Sequence, residues 1–169
     1  MKIGGKIRYR SDGQPLPQIA IPTFGYKNHI GIDRRYGFIR ACSVTAANSP
    51  DGRELKKVLV SDNTSSDVWA DTAYRSQSNE KMLRNKGLVS KIHRKKPKGK
   101  PMPERTKRAN ARKSKIRARV EHPFAYMKNK FGVIIRTIGL VRAEAKLTLV
   151  NLAYNFDRLV FHERRKTEG

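Results

Sequence analysis

The sequence predicts a mixed α/β fold, and three observations predict it. The chain has 169 residues, 37% of them hydrophobic, enough for one domain with a core of its own. Between residues 26 and 92 the patterns run strand, strand, helix, strand, helix, strand, the alternation of a mixed sheet with helices packed beside it. From residue 104 onward helix formers dominate and basic residues crowd in, giving a long basic C-terminal helical region.

Each element has a local reason. Residues 1–25 carry Gly4-Gly5, Asp12-Gly13, Pro15, Pro17 and Pro22, which reads as an irregular segment with one edge strand around Ile19–Ile21. The domain proper is expected over 26–163. Ile30 and Ile32 alternate with smaller or polar residues up to Asp33, Arg34-Arg35-Tyr36-Gly37 turns the chain, and 38–45 returns, so a hairpin is expected. Ser49-Pro50-Asp51 opens a helix whose apolar face is Leu55, Val58 and Leu59. A short buried strand covers 67–71. A helix runs from Ser76 to Lys86 with Met82-Leu83 inward and Gly87 as its stop, and 88–92 is one more strand.

The loop 93–103 has the composition of a mobile basic segment. One helix is expected to about Ala118 and another from near Glu121, joined as a single kinked helix if Pro123 is tolerated, with Gly132 ending it. Val133–Ile138 reads as extended. A final helix covers 143–163, with Leu147, Val150, Tyr154 and Leu159 toward the core and Leu149, Leu152, Phe156 and Val160 widening that face.

The charge balance is the strongest compositional signal. Thirty-eight Lys and Arg stand against 14 Asp and Glu, a net charge of +24. Such self-repulsion is relieved by a polyanion, and nucleic acid is the natural one because displaced counterions drive its binding. No stretch approaches the ~20 apolar residues of a spanning helix, and Met1–Gly5 has no signal-type apolar region, so a cytoplasmic, nucleoid-associated protein is expected. The single Cys42 sits in an apolar alternation and reads as a core or half-buried thiol.

Against that basic background two acids stand out. Asp71 ends a predicted strand, where α/β folds place ligands, and a Mg²⁺ ion needs one or two carboxylates plus phosphate oxygens. The competing reading makes Asp71 a cap for the helix near Ser76 or the start of a turn. Glu121 lies in a very basic helix. At ~100° per residue it shares a stripe with Ser114, Arg117 and Lys128, within about 60° of each other. The competing reading is an ordinary charge pair four residues apart. Val120, Phe124, Met127 and Phe131 run beside it as a buried-looking face. Arg94, Lys95, Lys96, Arg117 and Arg119 belong to a run of cations, from 91 to 119, facing only Glu104, and this density favours phosphate contacts. His122 is a metal ligand, an acid–base group or a structural residue. Trp69 and Tyr74 are core aromatics, or stack on a base.

Several segments together resemble a known family. They are 24–33 (FGYKNHIGID), 68–74 (VWADTAY), 92–96 (IHRKK), 117–124 (RARVEHPF), Arg136-Thr-Ile-Gly139 and Asn151-Leu-Ala-Tyr-Asn155. In this order they resemble the C-terminal part of a bacterial insertion-sequence transposase of the DDE type, over about residues 20–162. The resemblance implies a ribonuclease H-like fold in which three carboxylates hold two divalent ions, Mg²⁺ or Mn²⁺. These ions activate water for strand nicking and then a 3′-hydroxyl for strand transfer. It maps Asp71 onto the family's second Asp and Glu121 onto its Glu, as catalytic metal ligands. Arg117 and Lys128 fall on the basic members of the family's Tyr-Arg-Glu-Lys pattern, which grip DNA phosphate, and Ser114 stands where that pattern has Tyr.

The family's first Asp, on its first, central strand, has no match, and Asp33 and Asp51 read as turn and helix-start residues instead. The expectation is therefore a truncated ribonuclease H-like mixed sheet lacking its first strand, with two edges left open between the hairpin and strand 67–71. The expected partners are double-stranded DNA, a second copy, and an upstream fragment that restores the sheet. The alternatives are a non-enzymatic DNA-binding remnant and a small basic RNA-binding protein of ribosomal type.

Overall fold

The computed structural model describes residues 25–62 and 65–168. The expected edge strand at Ile19–Ile21 lies outside them. Strand β1 (Tyr26–Ile32) pairs antiparallel with β2 (Ile39–Ala46), with a bulge between Gly31 and Ile32. Asp33 makes the turn, as expected: its carboxylate accepts from the backbone N–H of Arg35 and Tyr36, and Gly37 takes a positive φ of 79°. The helix expected after Ser49 is shorter. A 3₁₀ turn over Asp51–Glu54 runs into a single turn, α1 (Leu55–Val58). It lies hard against β1, since a Cβ on Gly31 would collide with the Val58 carbonyl.

Strands β3 (Asp67–Val68) and β4 (Val89–Ser90) pair in parallel. Backbone bonds extend the ladder at both ends, from Val89 N–H to Ser66 O at 2.8 Å and from His93 N–H to Ala70 O at 3.2 Å. The crossover helix α2 (Gln77–Asn85) begins where Ser76 Oγ accepts from Asn79 N–H, and it stops at Gly87, which has φ 67°. The strands form two separate two-stranded sheets among the described residues, and no described strand joins β1 to β3, the gap expected for a sheet without its first strand.

Two long helices complete the fold. Helix α3 (Glu104–Phe131) is continuous through the buried Pro123 and ends at Gly132 in the left-handed region, φ 55°. The missing N–H of Pro123 removes one helical hydrogen bond, and burial of its ring offsets that loss. Residues 133–138 form neither helix nor strand. Helix α4 (Leu140–Thr167) is longer than expected and ends on Arg164, Arg165 and Lys166, which suit the negative end of its dipole.

The core is in two parts. Leu55, Val68, Leu83 and Ile92 cluster under β3 and β4; Ile39, Met127 and Tyr154 cluster where α3 and α4 meet the hairpin. Two asparagines fasten α4 to the hairpin. Asn151 donates to and accepts from the Asn28 amide, and Asn155 exchanges both bonds with the Ile39 backbone at 2.8 Å. The expected α4 face is corrected: Leu147 and Tyr154 are buried, but Leu159 is exposed together with Leu149, Leu152, Phe156 and Val160. Beside Glu121, Met127 is buried whereas Phe124 is exposed. Cys42 is half-buried, as the sequence implies.

Buried polar groups give the fold a sign in pH. His29 shares hydrogen bonds with Tyr74 Oη (2.8 Å) and Thr45 Oγ1 (2.9 Å), and burial pushes its pKa below the ordinary 6.5. Its imidazole is neutral in the fold, so below pH 6.5 the unfolded chain takes the proton first and stability falls. At lower pH Glu54 adds to the loss. Its carboxylate accepts from Ser43 Oγ at 2.6 Å, which is the main cause holding its pKa down. That contribution is present above the ordinary carboxyl value of 4.5 and disappears as pH drops through the lowered one. Unfolding midpoints in urea should therefore fall steadily from pH 7 to pH 4, and Glu54→Gln should flatten the acid limb; an unchanged limb would refute this assignment.

Candidate metal and DNA site

Asp71 follows the end of β3 after Trp69-Ala70. Its Oδ1 accepts from Thr72 N–H and starts the 3₁₀ turn Thr72–Tyr74, so it begins a turn, while Ser76 is the cap of α2. Turn formation leaves its other oxygen available, and Oδ2 lies 3.5 Å from Arg117 Nη1. Arg117 Nη2 in turn donates to Glu121 Oε1 at 3.0 Å, the four-apart pair the helix spacing implies. One guanidinium thus bridges two carboxylates fifty residues apart in sequence. Both acids are accessible, with side chains 47% and 64% exposed. Arg117 Nε is buried without a partner, so this side chain has a donor still unspent.

These groups line a cleft of about 940 Å³. Residues 27–35 of the hairpin, Leu55, Val58 and Leu59, and Ile116, Val120 and Phe124 of α3 also line it. Strands β1 and β3, which among the described residues pair only with β2 and β4, both border it. Trp69 and Tyr74 line the cleft and are half-buried. Burial pushes the Tyr74 hydroxyl up to about 12 and keeps it a neutral partner for His29.

His93, beside Asp71, carries no role of its own in the sequence pattern. His93 Nδ1 is 3.8 Å from Asp71 Oδ1 and its Nε2 is 3.5 Å from Ser114 Oγ. Burial first, and then the Arg117 cation, lower its pKa, so a neutral imidazole faces the carboxylate. Lys113 Nζ donates to Ile92 O at 3.0 Å, and burial lowers its pKa. The 92–96 segment was visible in the sequence, but its approach to Asp71 depends on the β3–β4 ladder.

The other candidate residues are more dispersed. Arg119 lines the cleft and reaches Arg34 O at 2.6 Å. Arg94, Lys95 and Lys96 are exposed outside it, and Asn110 of α3 clasps both backbone groups of Arg94. Lys128 is exposed further along the same stripe of α3, outside the cleft. His122 stacks on Tyr126 and sits 3.5 Å from Tyr154 Oη, a packing role. Asp51 is paired with Lys27 at 2.7 Å. Among the described residues no three of His, Cys, Asp and Glu group closely enough to hold a metal ion. No helix among them is long and apolar enough to cross a membrane.

The family model described as Transposase DDE domain matches residues 22–156, and the chain belongs to that transposase family. The mixed α/β architecture is consistent with the insertion-sequence type that the motifs resemble. No solved structure matches the chain.

Proposed function

We propose that this chain carries two of the three carboxylates of a metal-dependent DNA strand-cleavage and transfer centre, and that its α3 surface holds the duplex. The observation that carries the reading is the Asp71–Arg117–Glu121 bridge. Hard carboxylate oxygens suit Mg²⁺ or Mn²⁺. Asp71 and Glu121 are close enough to serve one guanidinium, they are open to solvent, and a third acid is not among the described residues beside them. A divalent ion held there would activate the attacking oxygen and stabilise the leaving one. Arg117 balances the acids until then and has the donors to turn toward a phosphate. Arg119, Lys128 and the loop cations Arg94, Lys95 and Lys96 supply further charge along the same helix and its approach.

The cleft supports a strand-accepting role. Strands β1 and β3, joined by no strand among the described residues, border it and apolar side chains flank it, which is the setting of a central strand buried on both faces. An extended upstream segment inserted there would join the two sheets and bring in the remaining carboxylate.

Two measurements test the reading. Log affinity for duplex DNA should fall linearly with log salt, and Arg94→Ala/Lys95→Ala/Lys96→Ala should make that slope shallower by about 2.7, at ~0.9 per phosphate contact. Co-expression with an upstream fragment should raise solubility and switch on Mg²⁺-dependent cutting. An unchanged slope would remove the loop from the interface, and no gain on mixing would remove the strand-accepting role.

A further inference from the structure

We infer that the outer face of α4 is a homodimer seam, closed by the same helix of a second copy running antiparallel. Helix α4 is apolar on two opposite faces. Ala143, Leu147, Asn151 and Tyr154 pack inward. On the other side Val141, Leu149, Leu152 and Phe156 are 80%, 66%, 49% and 60% exposed, and Leu159 and Val160 continue the row. At ~100° per residue these six, with Ala145, fall within one stripe about 100° wide, five turns long.

The stripe is uncharged between Arg142 and Glu163, in a chain with 38 Lys and Arg. A solvated helix in such a chain has no reason to keep five turns free of charge. The six side chains expose on the order of 600 Å², the top of the range for a typical monomer's largest patch and most of the ~800 Å² that each partner gives a standard interface.

The stripe is also complementary to itself when reversed. An antiparallel pairing centred between Leu152 and Ala153 sets Leu149 against Phe156 and the small Ala145 against Val160. Leu152 meets its own copy near the axis. The same register sets Arg142 against Glu163, twice per dimer. Arg142 makes no ion pair among the described residues, and Glu163 holds only the exposed Lys166. Self-complementarity is what an isologous contact requires, and it favours a second copy over an unrelated partner. No residue of α4 lines the cleft, so both clefts stay open in the dimer.

Electrostatics makes the test selective. Two copies at +24 repel, and salt screens that repulsion. Dimerisation of the full chain should therefore tighten as NaCl rises, while DNA binding weakens. Sedimentation equilibrium in 0.5 M NaCl should show a monomer–dimer equilibrium, and Phe156→Glu should weaken it at least about thirtyfold with an unchanged circular dichroism spectrum. Arg142→Glu and Glu163→Arg should each weaken it about fivefold, and the double reversal should restore it. A chain that stays monomeric in high salt, or a double reversal that fails to recover, would overturn the antiparallel seam. The outcome is independent of the metal reading, because no seam residue touches Asp71, Arg117 or Glu121.

Discussion

Asp71→Asn or Glu121→Gln should each lower Mg²⁺-dependent strand cleavage by at least about a hundredfold, since each removes a proposed metal ligand while keeping side-chain shape. The assay is nicking of an element-end duplex by the chain together with its upstream fragment. DNA affinity should hold or rise slightly, because each change removes a negative charge beside a phosphate-binding surface. That split separates metal ligation from a purely structural role. If Asp71 served only to start the Thr72–Tyr74 turn, Asn would substitute well, since its side-chain oxygen also accepts from a backbone N–H. A variant that retains the full rate would show that the two acids are turn and helix-surface residues only.

Tyr154→Ala should destabilise the fold by about 3–5 kcal/mol, as a large aromatic lost from a closed core. Tyr154 is 1% exposed and lies between Ile39 of the hairpin and Met127 of α3, so its ring joins three elements. Its hydroxyl donates to Gly37 O at 3.1 Å and pins the hairpin turn. Tyr154→Phe keeps the ring and should cost only about 1 kcal/mol, the worth of one hydrogen bond. Urea titration of the three proteins measures both steps. An alanine variant with a wild-type midpoint would mean that the α3–α4 core does not hold the hairpin.

What the sequence made legible follows local physics. The hairpin, the Asp33 turn, the helix opening at Ser76, the Gly87 and Gly132 stops and the Arg117–Glu121 pair are set by neighbours a few residues apart. Each stands where the spacing puts it. What was not legible depends on partners far along the chain. Helix α4 is apolar on two sides, and periodicity cannot say which side meets the hairpin; Asn151 and Asn155, which bond to Asn28 and Ile39, decide it. The approach of Asp71 and His93 to Arg117 rests on long-range packing of α3 beside β3 and β4, which no local pattern encodes. Lys128 shares the stripe of Arg117 by angle, but about three turns of rise carry it beyond the cleft.

The Arg117 bridge has a thermodynamic corollary. A pocket whose acids already own a resident countercharge can fold and keep its shape with no ion present, so chelators should leave its thermal transition in place. Loading an ion then becomes an exchange, in which a guanidinium is evicted. The evicted group needs a new anion, and the backbone of a bound duplex offers one. Under the proposed reading, nucleic acid and cation would each strengthen the other's hold, and by linkage to the same degree.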